Sequence, residues 1–266
     1  MSENTKPLIL LTNDDGIYAP GLIPLARALE RVGQVIVIAP EHNWSAAGHS
    51  KTMHKPLRVW SIELSDGTEA LASNGSPSDC VALALLGIVE RPPQLVVSGI
   101  NLGANVGTDL TYSGTVAAAM EAVIWGISGI AVSLDSFTPN TYEAAAHFTA
   151  QLAQRVLAAG LEEPLLLNVN VPNLPEEEIK GVQITRLGRR LYRDALVKRL
   201  DPRGRPYYWI GGDPPEGIPE EGTDIGALTE GYISVTPILL DLTDYARLPL
   251  LASWELTFPL KESNKT

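Results

Sequence analysis

Short apolar runs alternate with amphipathic stretches over the first 171 residues of the chain. Residues 7–12 and 34–39 (QVIVIA) are apolar runs of strand length, whereas residues 20–31 carry leucine and alanine at helical spacing. A strand, a helix and a second strand in this order form a βαβ unit, which favours a parallel sheet with a right-handed crossover.

The same alternation continues after residue 40 and includes one hairpin. Residues 52–74 contain two strand-like runs around Ser65-Asp66-Gly67, and Ser76 followed by Pro77 is typical of a helix N-cap and first turn. The other predicted elements are helices at 115–126 and 141–159 and strands at 94–98, 130–134 and 165–171. The pattern therefore predicts an α/β fold with a Rossmann-like, mostly parallel sheet flanked by helices.

The alternation of strands and helices stops near residue 182. Residues 182–240 contain short strand-like pieces with many prolines and glycines, and residues 241–253 predict a last helix. We interpret residues 1–181 as the Rossmann-like domain. Residues 182–266 are predicted to form a C-terminal antiparallel arm and a closing helix, which would not fold as an independent domain.

Charge and cysteine content exclude several classes of partner and compartment. The chain has 31 acidic and 20 basic residues and a formal net charge of −11, which argues against a nucleic-acid polymer or an anionic membrane as partner. The one cysteine, Cys80, cannot form an internal disulfide, and the N-terminus lacks the pattern of a signal peptide. We therefore expect a cytoplasmic protein that has no membrane-spanning segment.

Polar side chains follow three of the predicted strands. Asp14 and Asp15 come after the first strand, Ser45 lies in the loop after the second, and Asn101 and Asn105 follow strand 94–98. Ligands of open parallel sheets bind beyond the carboxyl ends of the strands, so these side chains are expected to converge. The set offers carboxylate, hydroxyl and amide oxygens, which suit Mg²⁺ or Mn²⁺ better than Zn²⁺.

Each of these pieces also has a simpler interpretation. Asp-Asp-Gly after a strand is a common turn, Ser45 alone would be an ordinary loop hydroxyl, and Asn101 or Asn105 alone would cap a turn. Two adjacent carboxylates repel each other, however, unless a cation lies between them. The combination of the three loops therefore favours a metal site over three unrelated turns.

The helix predicted at 115–126 begins with small hydroxylated residues. Ser113, Gly114 and Thr115 precede it, and a helix N-terminus of this kind is a natural site for a phosphate group. Ser113 or Thr115 would alternatively serve as an N-cap. His42 and His49 flank the Ser45 loop, where either could act as a general acid or simply be solvated.

Four segments of the chain, taken together and in order, resemble the SurE family. They are LLTNDDGIYAPGL, APEHNWSAAGHS, SNGSPSDCVALAL and VVSGINLGANVGTDLTYSGTVAAAMEA. The resemblance is continuous over about the first 135 residues and looser afterwards, through ITRLGRR and IGGDPPEG.

The resemblance implies a metal-dependent 5′-nucleotidase, which hydrolyses nucleoside 5′-monophosphates to nucleosides and phosphate. Activity on 3′-nucleotides and on short polyphosphate stays open. The resemblance also implies one divalent ion per subunit, Mg²⁺ or Mn²⁺. The implied metal ligands are Asp14, Asp15, Ser45 and Asn101. One of the two aspartates would also act as base or nucleophile. The implied phosphate contacts are Asn105 and Ser113, with Gly114 and Thr115 beside them.

Assembly is a further implication of the resemblance. Members of the family exchange the C-terminal arm between subunits, so a homodimer or a homotetramer is expected here. In this interpretation residues 1–181 are the catalytic domain.

Two other functions are compatible with the same residues. The first is a phosphatase that forms an aspartyl-phosphate, but such enzymes usually carry their two aspartates at alternate positions, whereas Asp14 and Asp15 are adjacent and point differently. Trapping a phospho-enzyme would identify that class. The second is a nucleotide sensor, which would bind nucleotides without turnover.

Overall fold

The computed structural model describes residues 6–139, 141–254, 256 and 258, which form one nine-stranded sheet, a separate two-stranded sheet and six α-helices. The strands are β1 (Leu8–Thr12), β2 (Gln34–Pro40), β3 (Val59–Glu63), β4 (Glu69–Ser73), β5 (Leu95–Leu102), β6 (Ser128–Asp135), β7 (Leu166–Pro172), β8 (Val182–Ile184), β9 (Arg189–Leu200), β10 (Pro206–Ile218) and β11 (Ile233–Ile238). The helices are α1 (Leu22–Glu30), α2 (Pro77–Leu83), α3 (Gly114–Ile124), α4 (Glu143–Ala159), α5 (Asp224–Thr229) and α6 (Leu248–Ala252).

The large sheet has the strand order β3-β4-β2-β1-β5-β6-β7-β11-β8. The strands from β4 to β7 pair in parallel along this order, whereas β3 with β4 and β11 with β7 are antiparallel. The predicted mostly parallel α/β sheet is therefore confirmed.

Helices cover both faces of this sheet. Alternate residues of a strand point to opposite faces, and Ile9 and Leu11 belong to the cluster with α1 and α4, whereas Leu10 belongs to the cluster with α2 and α3. Burial on both faces explains why every residue of β1 is apolar or a small hydroxyl and is buried.

The predicted hairpin and the predicted cap of the second helix are both confirmed. β3 pairs with β4 in an antiparallel register. Ser76 caps α2, because its hydroxyl accepts a hydrogen bond from Asp79 N while the Asp79 carboxylate accepts one from Ser76 N, which is a capping box. Cys80 belongs to this helix and is buried in the core, as predicted for an apolar capped helix.

Strand β5 is longer than predicted. The sequence predicts a strand over residues 94–98, but the strand continues to Leu102. The pairing with β6 shifts by one residue between Ser98 and Asn101, which is a bulge. Gly99 has a φ of +147°, and a Cβ there would lie 2.4 Å from the carbonyl oxygen of Val132, so glycine is required to pass the bulge. Asn101 consequently belongs to the end of β5 and not to the loop after it.

The predicted last helix over residues 241–253 is wrong over its first half. Only α6 is helical, and it starts with Pro249 in its first turn. Asp241 Oδ1 accepts a hydrogen bond from Thr243 N at 2.9 Å, so its carboxylate satisfies the backbone of a turn and not that of a helix.

The strands after residue 182 lie in two different places. β8 and β11 extend the nine-stranded sheet at its β7 edge, and α5 contacts β11 and β7. β9 and β10 form the separate two-stranded sheet, called the β9–β10 arm below (residues 189–218). No helix among the described residues is long and apolar enough to cross a membrane.

Candidate metal and phosphate site

The proposed ligands lie at the point where the strand order reverses. The chain leaves β1 towards β2 and later returns to β5 on the other side of β1, which opens a crevice between the carboxyl ends of β1 and β5. Such a crevice is the usual ligand site of an open α/β sheet. Asp14 and Asp15 follow β1, and Asn101 ends β5, so the fold brings the first and third of the predicted loops together.

Asp14 is held rigidly at the bottom of this crevice. It is 3% exposed, Thr115 Oγ1 donates a hydrogen bond to its carboxylate, and Trp44 N donates to its backbone carbonyl at 2.7 Å. A Cβ on Gly114 would lie 2.8 Å from the Asp14 Cβ, so the start of α3 can approach the carboxylate this closely only with glycine.

Asp15 is held by the neighbouring loops. Its Oδ2 accepts a hydrogen bond from Leu102 N at 3.3 Å, and its Oδ1 accepts one from Asn43 Nδ2 at 3.1 Å. Asn43 in turn accepts a hydrogen bond from Ser45 N at 2.7 Å. Asn43 thus links the second loop to the carboxylate pair and locates Ser45, which is itself exposed.

The electrostatics of the two carboxylates call for a cation. Burial raises the pKa of Asp14 to about 6; the charge of Asp15 adds to this rise and the hydrogen bond from Thr115 opposes it. Burial also raises the pKa of Asp15. Neither carboxylate forms an ion pair with a basic side chain in the part of the chain that the structure describes. A buried carboxylate beside a half-buried one, neither with a positive partner, is the environment in which a divalent cation binds.

Asn101 offers one oxygen to the same place. Its Nδ2 donates to the carbonyl of Gly103 at 2.7 Å, which fixes the amide and leaves Oδ1 as the atom available to a cation. The donor set of two carboxylates, one hydroxyl and one amide oxygen therefore fits Mg²⁺ or Mn²⁺. The described residues contain no group of three or more His, Cys, Asp or Glu side chains that could hold a metal.

A cleft of ≈ 380 Å³ opens over these residues. Among the predicted site residues, the walls include Asp14, Ser45, Asn101, Asn105 and Ser113. Asp15, Gly114 and Thr115 do not line it. They lie behind this first layer, where Thr115 hydrogen-bonds Asp14 and Asp15 hydrogen-bonds the two loops.

The start of α3 forms one side of the cleft. Ser113 is the N-cap, since its hydroxyl accepts a hydrogen bond from Val116 N at 3.2 Å. The first N–H groups of a helix have no acceptor within the helix, and those of Gly114 and Thr115 are in this position. The N-cap interpretation and the phosphate interpretation of Ser113 are therefore compatible, because a capping hydroxyl keeps its own proton for a ligand.

His49 is not the solvated loop histidine that its sequence context suggested. Its Nε2 lies 3.0 Å from Glu121 Oε2, Lys51 Nζ donates to Glu121 Oε1 at 2.8 Å, and Trp125 Nε1 donates to the same oxygen at 2.9 Å. Glu121 belongs to α3, so this cluster ties the loop that carries Ser45 to the helix that borders the cleft. His42, in contrast, is exposed.

Sequence reasoning missed several polar residues around the cleft. Asp109 and Arg190 line its wall and form an ion pair, which brings the start of the β9–β10 arm to the cleft. Asn168 and Asn170 are buried on β7 and hydrogen-bond the backbone of Asn105. The one signal in the sequence was the pair of asparagines inside the apolar run LLLNVNVP.

Comparison with known proteins gives consistent matches. A family model described as Survival protein SurE matches residues 9–194. The 5′-nucleotidase SurE of Chloroflexus aggregans is 53% identical over 251 residues, covering 93% of this chain and 98% of that protein. The protein of the same name from Herpetosiphon aurantiacus is 54% identical over 238 residues, covering 89% of this chain and 93% of that protein. The crystal structure of the SurE protein from Aquifex aeolicus has a TM-score of 0.80 and 43% identity, covering 94% of this chain and 100% of that one.

Proposed function

Since the chain belongs to the SurE family, we propose that it is a divalent-metal-dependent 5′-nucleotidase. It hydrolyses nucleoside 5′-monophosphates to nucleosides and phosphate. The names of its relatives support the reaction, and the residues of the crevice support the metal. The observation that carries the proposal is the adjacent pair Asp14 and Asp15: Asp14 is buried and lines the cleft beside the N-terminus of α3, and Asp15 is half-buried behind it. Neither carboxylate has a basic partner among the described residues.

The cation is proposed to be one Mg²⁺ or Mn²⁺ per subunit. Asp14, Asp15, Ser45 and Asn101 would hold it. When bound, such an ion polarises a phosphoryl oxygen and lowers the pKa of a water molecule. The protein holds three of these ligands in place before a metal binds. Thr115 hydrogen-bonds Asp14, Asn43 hydrogen-bonds Asp15, and Asn101 hydrogen-bonds the backbone carbonyl of Gly103.

The phosphate is proposed to bind on the α3 side of the cleft. The Ser113 hydroxyl and the Asn105 amide line the cleft, and the N–H groups of Gly114 and Thr115 lie at the start of α3 beside it. Donors fixed before the substrate arrives stabilise the charge on the phosphoryl oxygens without further reorganisation. In an acidic protein, these donors and the cation supply the local positive field that a phosphate ester needs.

Within the carboxylate pair, we assign the role of base or nucleophile to Asp14. Its carboxylate lines the cleft, whereas both oxygens of Asp15 accept hydrogen bonds from Leu102 N and Asn43. Asp15 is then the ligand that joins the first loop to the second. A covalent aspartyl-phosphate on Asp14 remains the alternative, and trapping of a phospho-enzyme would identify it.

A second part of the proposal concerns assembly and location. The β9–β10 arm exposes a row of large apolar side chains, including Leu196, Trp209 and Ile210, and such a surface is typical of an interface. We propose that the arm is exchanged with a second copy in a homodimer or a homotetramer. We also propose a cytoplasmic location, since the single cysteine, Cys80, fits a reducing compartment.

The activity is tested by phosphate release from nucleoside 5′- and 3′-monophosphates, short polyphosphate and a simple aryl phosphate, each with EDTA, Mg²⁺ or Mn²⁺. We expect turnover that requires the metal and prefers 5′-nucleotides to the aryl phosphate. Folded protein that releases no phosphate with either metal would overturn the enzyme proposal and favour a nucleotide sensor.

The assembly is tested by the mass of the protein in solution, measured by light scattering at micromolar concentration. We expect a dimer or a tetramer for the natural chain, and a shift towards the monomer for a chain that carries Trp209→Ser and Ile210→Asp. Met53→Ser, which changes an exposed apolar residue outside the arm, is the matched control. A natural chain that is monomeric at this concentration would contradict the proposal.

A further inference from the structure

Asn105 is held by an unusual number of hydrogen bonds from side chains. Its backbone N–H donates to Asn170 Oδ1 at 2.8 Å, and its backbone carbonyl accepts from Asn170 Nδ2 at 3.0 Å and from Asn168 Nδ2 at 2.8 Å. The Asn170 side chain therefore hydrogen-bonds both the backbone N–H and the backbone carbonyl of Asn105, as the backbone of a neighbouring strand would do. The loop after β5 is fixed at this residue by side chains from β7, which lies two strands away.

The side chain of Asn105 is fixed as well. Its Nδ2 donates to Ser133 Oγ on β6 at 2.9 Å. Ser133 pairs with Asn170 in the register of β6 and β7, so the two residues lie side by side. Asn105 itself lines the cleft, and this bond uses one of its two amide hydrogens. The second amide hydrogen and Oδ1 are then the atoms that Asn105 can present to a ligand.

The three side chains that hold Asn105 are polar groups in the buried core, where an apolar residue would give a more stable fold. Asn168, Asn170 and Ser133 are all 0% exposed, and the two asparagines are the only polar residues of β7. A buried amide is stable only when it is hydrogen-bonded, and an apolar residue would fill the same core position with less cost. Asn168 and Asn170 are two residues apart, so they point to the same face of β7, which is the face that the Asn105 loop crosses.

We propose that Asn168, Asn170 and Ser133 are positioning residues, which hold Asn105 in the orientation that binds a phosphate oxygen. They act on the phosphoryl group and not on the nucleoside, because Asn105 is their common target. The inference rests on the proposed function at one point only, the phosphate contact of Asn105. A donor that is already oriented loses less conformational freedom on binding, and this is the advantage that the three residues provide.

The test is the substitution Asn170→Ala, which removes two of the hydrogen bonds to the Asn105 backbone. We expect kcat/KM with saturating Mn²⁺ to fall about 10- to 100-fold, as is usual when a supporting hydrogen-bond partner is lost. The loss should be the same factor for nucleotides with different bases, and the inhibition constant of inorganic phosphate should rise. The Mn²⁺ concentration at half-maximal activity should change less than about twofold, since the hydrogen bonds of Asn170 go to Asn105 and not to the proposed metal ligands.

Thr236→Val is the matched control. Thr236 is a buried polar residue of the same sheet that pairs with Asn168 in register and hydrogen-bonds Thr185, far in the sequence from the Asn105 loop. Its substitution should lower the melting temperature without changing the inhibition constant of phosphate. If Asn170→Ala behaves like Thr236→Val, with a lower melting temperature and unchanged kinetics, the inference is overturned.

A double-mutant cycle with Asn105→Ala separates positioning from general loosening of the fold. If Asn170 acts through Asn105, the two substitutions together should cost much less than the product of the single effects. Independent, multiplicative effects would refute the inference. Should Asn170→Ala fail to fold, Ser133→Ala, which removes one hydrogen bond to the Asn105 side chain, replaces it in the same cycle with a smaller expected loss.

The kinetics of the variants can be measured only if the natural chain releases phosphate. An inactive natural chain would therefore show that the proposed function is wrong before any variant is compared. In that event phosphate binding by calorimetry, with Mn²⁺ present, takes the place of the kinetics. Weaker phosphate binding by Asn170→Ala than by Thr236→Val would still support the positioning role, and equal binding would overturn it.

Discussion

The nine-stranded sheet and the β9–β10 arm differ in what covers their apolar side chains. In β1, every side chain is buried because helices lie on both faces of the sheet. In the arm, Leu196 is 70% exposed and Ile210 is 84% exposed, although both belong to long, regularly paired strands. The difference teaches that strand-forming sequence alone does not create a core. The apolar side chains of the sheet are covered by the helices of the same chain, whereas we propose that those of the arm are covered by another chain.

The site belongs almost entirely to the first of these regions. Asp14, Asn101 and Asn105 are attached to strand ends or to side chains of the buried sheet, and only Arg190 reaches the cleft from the arm. Substitutions in the sheet should therefore change chemistry and stability, whereas those in the arm should change assembly. The predictions below test this contrast, from the largest expected effect to the smallest.

Replacement of Asp14 by Asn should have the largest effect. Asn keeps the shape but loses the charge, so we expect turnover with Mn²⁺ to fall about 10²- to 10³-fold, the usual loss for one preorganised electrostatic group. The melting temperature should stay the same or rise, because the repulsion from Asp15 is removed. Steady-state phosphate release and thermal unfolding measure the two quantities. Near-normal turnover of Asp14→Asn would refute the assignment of the site.

Asp66→Asn provides a control for that substitution. Asp66 lies in the turn between β3 and β4, where it pairs with Arg27, away from the cleft. We expect this variant to keep the turnover of the natural chain. A comparable loss in both variants would mean that the effect of Asp14→Asn comes from the change in net charge.

Loss of the Glu121 charge should have the next largest effect. The hydrogen bond from His49 lowers the pKa of Glu121 to about 2; burial opposes this shift, and Lys51 and Trp125 reinforce it. A folded-state pKa below the ordinary 4.5 means that the charge stabilises the fold above pH 4.5, and that this contribution is lost as the pH falls towards 2. We expect Glu121→Gln to reduce the free energy of unfolding by about 2 kcal/mol at pH 7, an amount moderated by the exposure of His49 and Lys51.

The pH dependence gives this prediction its sharpest form. The difference in the free energy of unfolding between the natural chain and Glu121→Gln should narrow as the pH falls from 5 to 3, because Glu121 of the unfolded chain takes up a proton near pH 4.5 whereas Glu121 of the folded chain stays ionised until about pH 2. Denaturant unfolding at each pH measures it, with Glu30→Gln at the exposed end of α1 as control. A difference that is constant over this range would show that the cluster does not depend on the charge.

A single substitution in the arm should have the smallest effect on stability. Ile210→Ser removes a side chain that contacts little within one chain, so at a concentration where the protein is dissociated we expect a change within about 0.5 kcal/mol in the free energy of unfolding. Denaturant unfolding measures the change. Ile130→Ser in β6, which is fully buried, is the matched comparison and should cost several times more. Equal losses would mean that the arm is part of the core of one subunit.

Much of the fold could be predicted from the sequence because its signals are local. Apolar runs of strand length and the cap at Ser76 act over a few residues, and the convergence of the loops after β1 and β5 follows from the parallel sheet. The strand end at Ser98 was misjudged because glycine breaks a pattern without always ending a strand. The last helix was misjudged because a carboxylate at Asp241 satisfies the backbone of a turn.

The unpredicted parts of the site are contacts between residues far apart in the chain. Asn105 and Asn170 are 65 residues apart, His49 and Glu121 are 72 apart, and Asp109 and Arg190 are 81 apart. Their pairing depends on the completed sheet, and no local pattern in the sequence indicates it. The exchange of the arm between subunits and the roles of the individual site residues stay predictions.

The most direct test of the account is anomalous X-ray scattering at the manganese edge from crystals grown with MnCl₂. We predict one strong peak per subunit within bonding distance of oxygen atoms from Asp14, Asp15, Ser45 and Asn101. A peak bound by other residues, such as Asp109, or no peak at a Mn²⁺ concentration that supports turnover, would contradict the central claim that these four residues hold the catalytic metal.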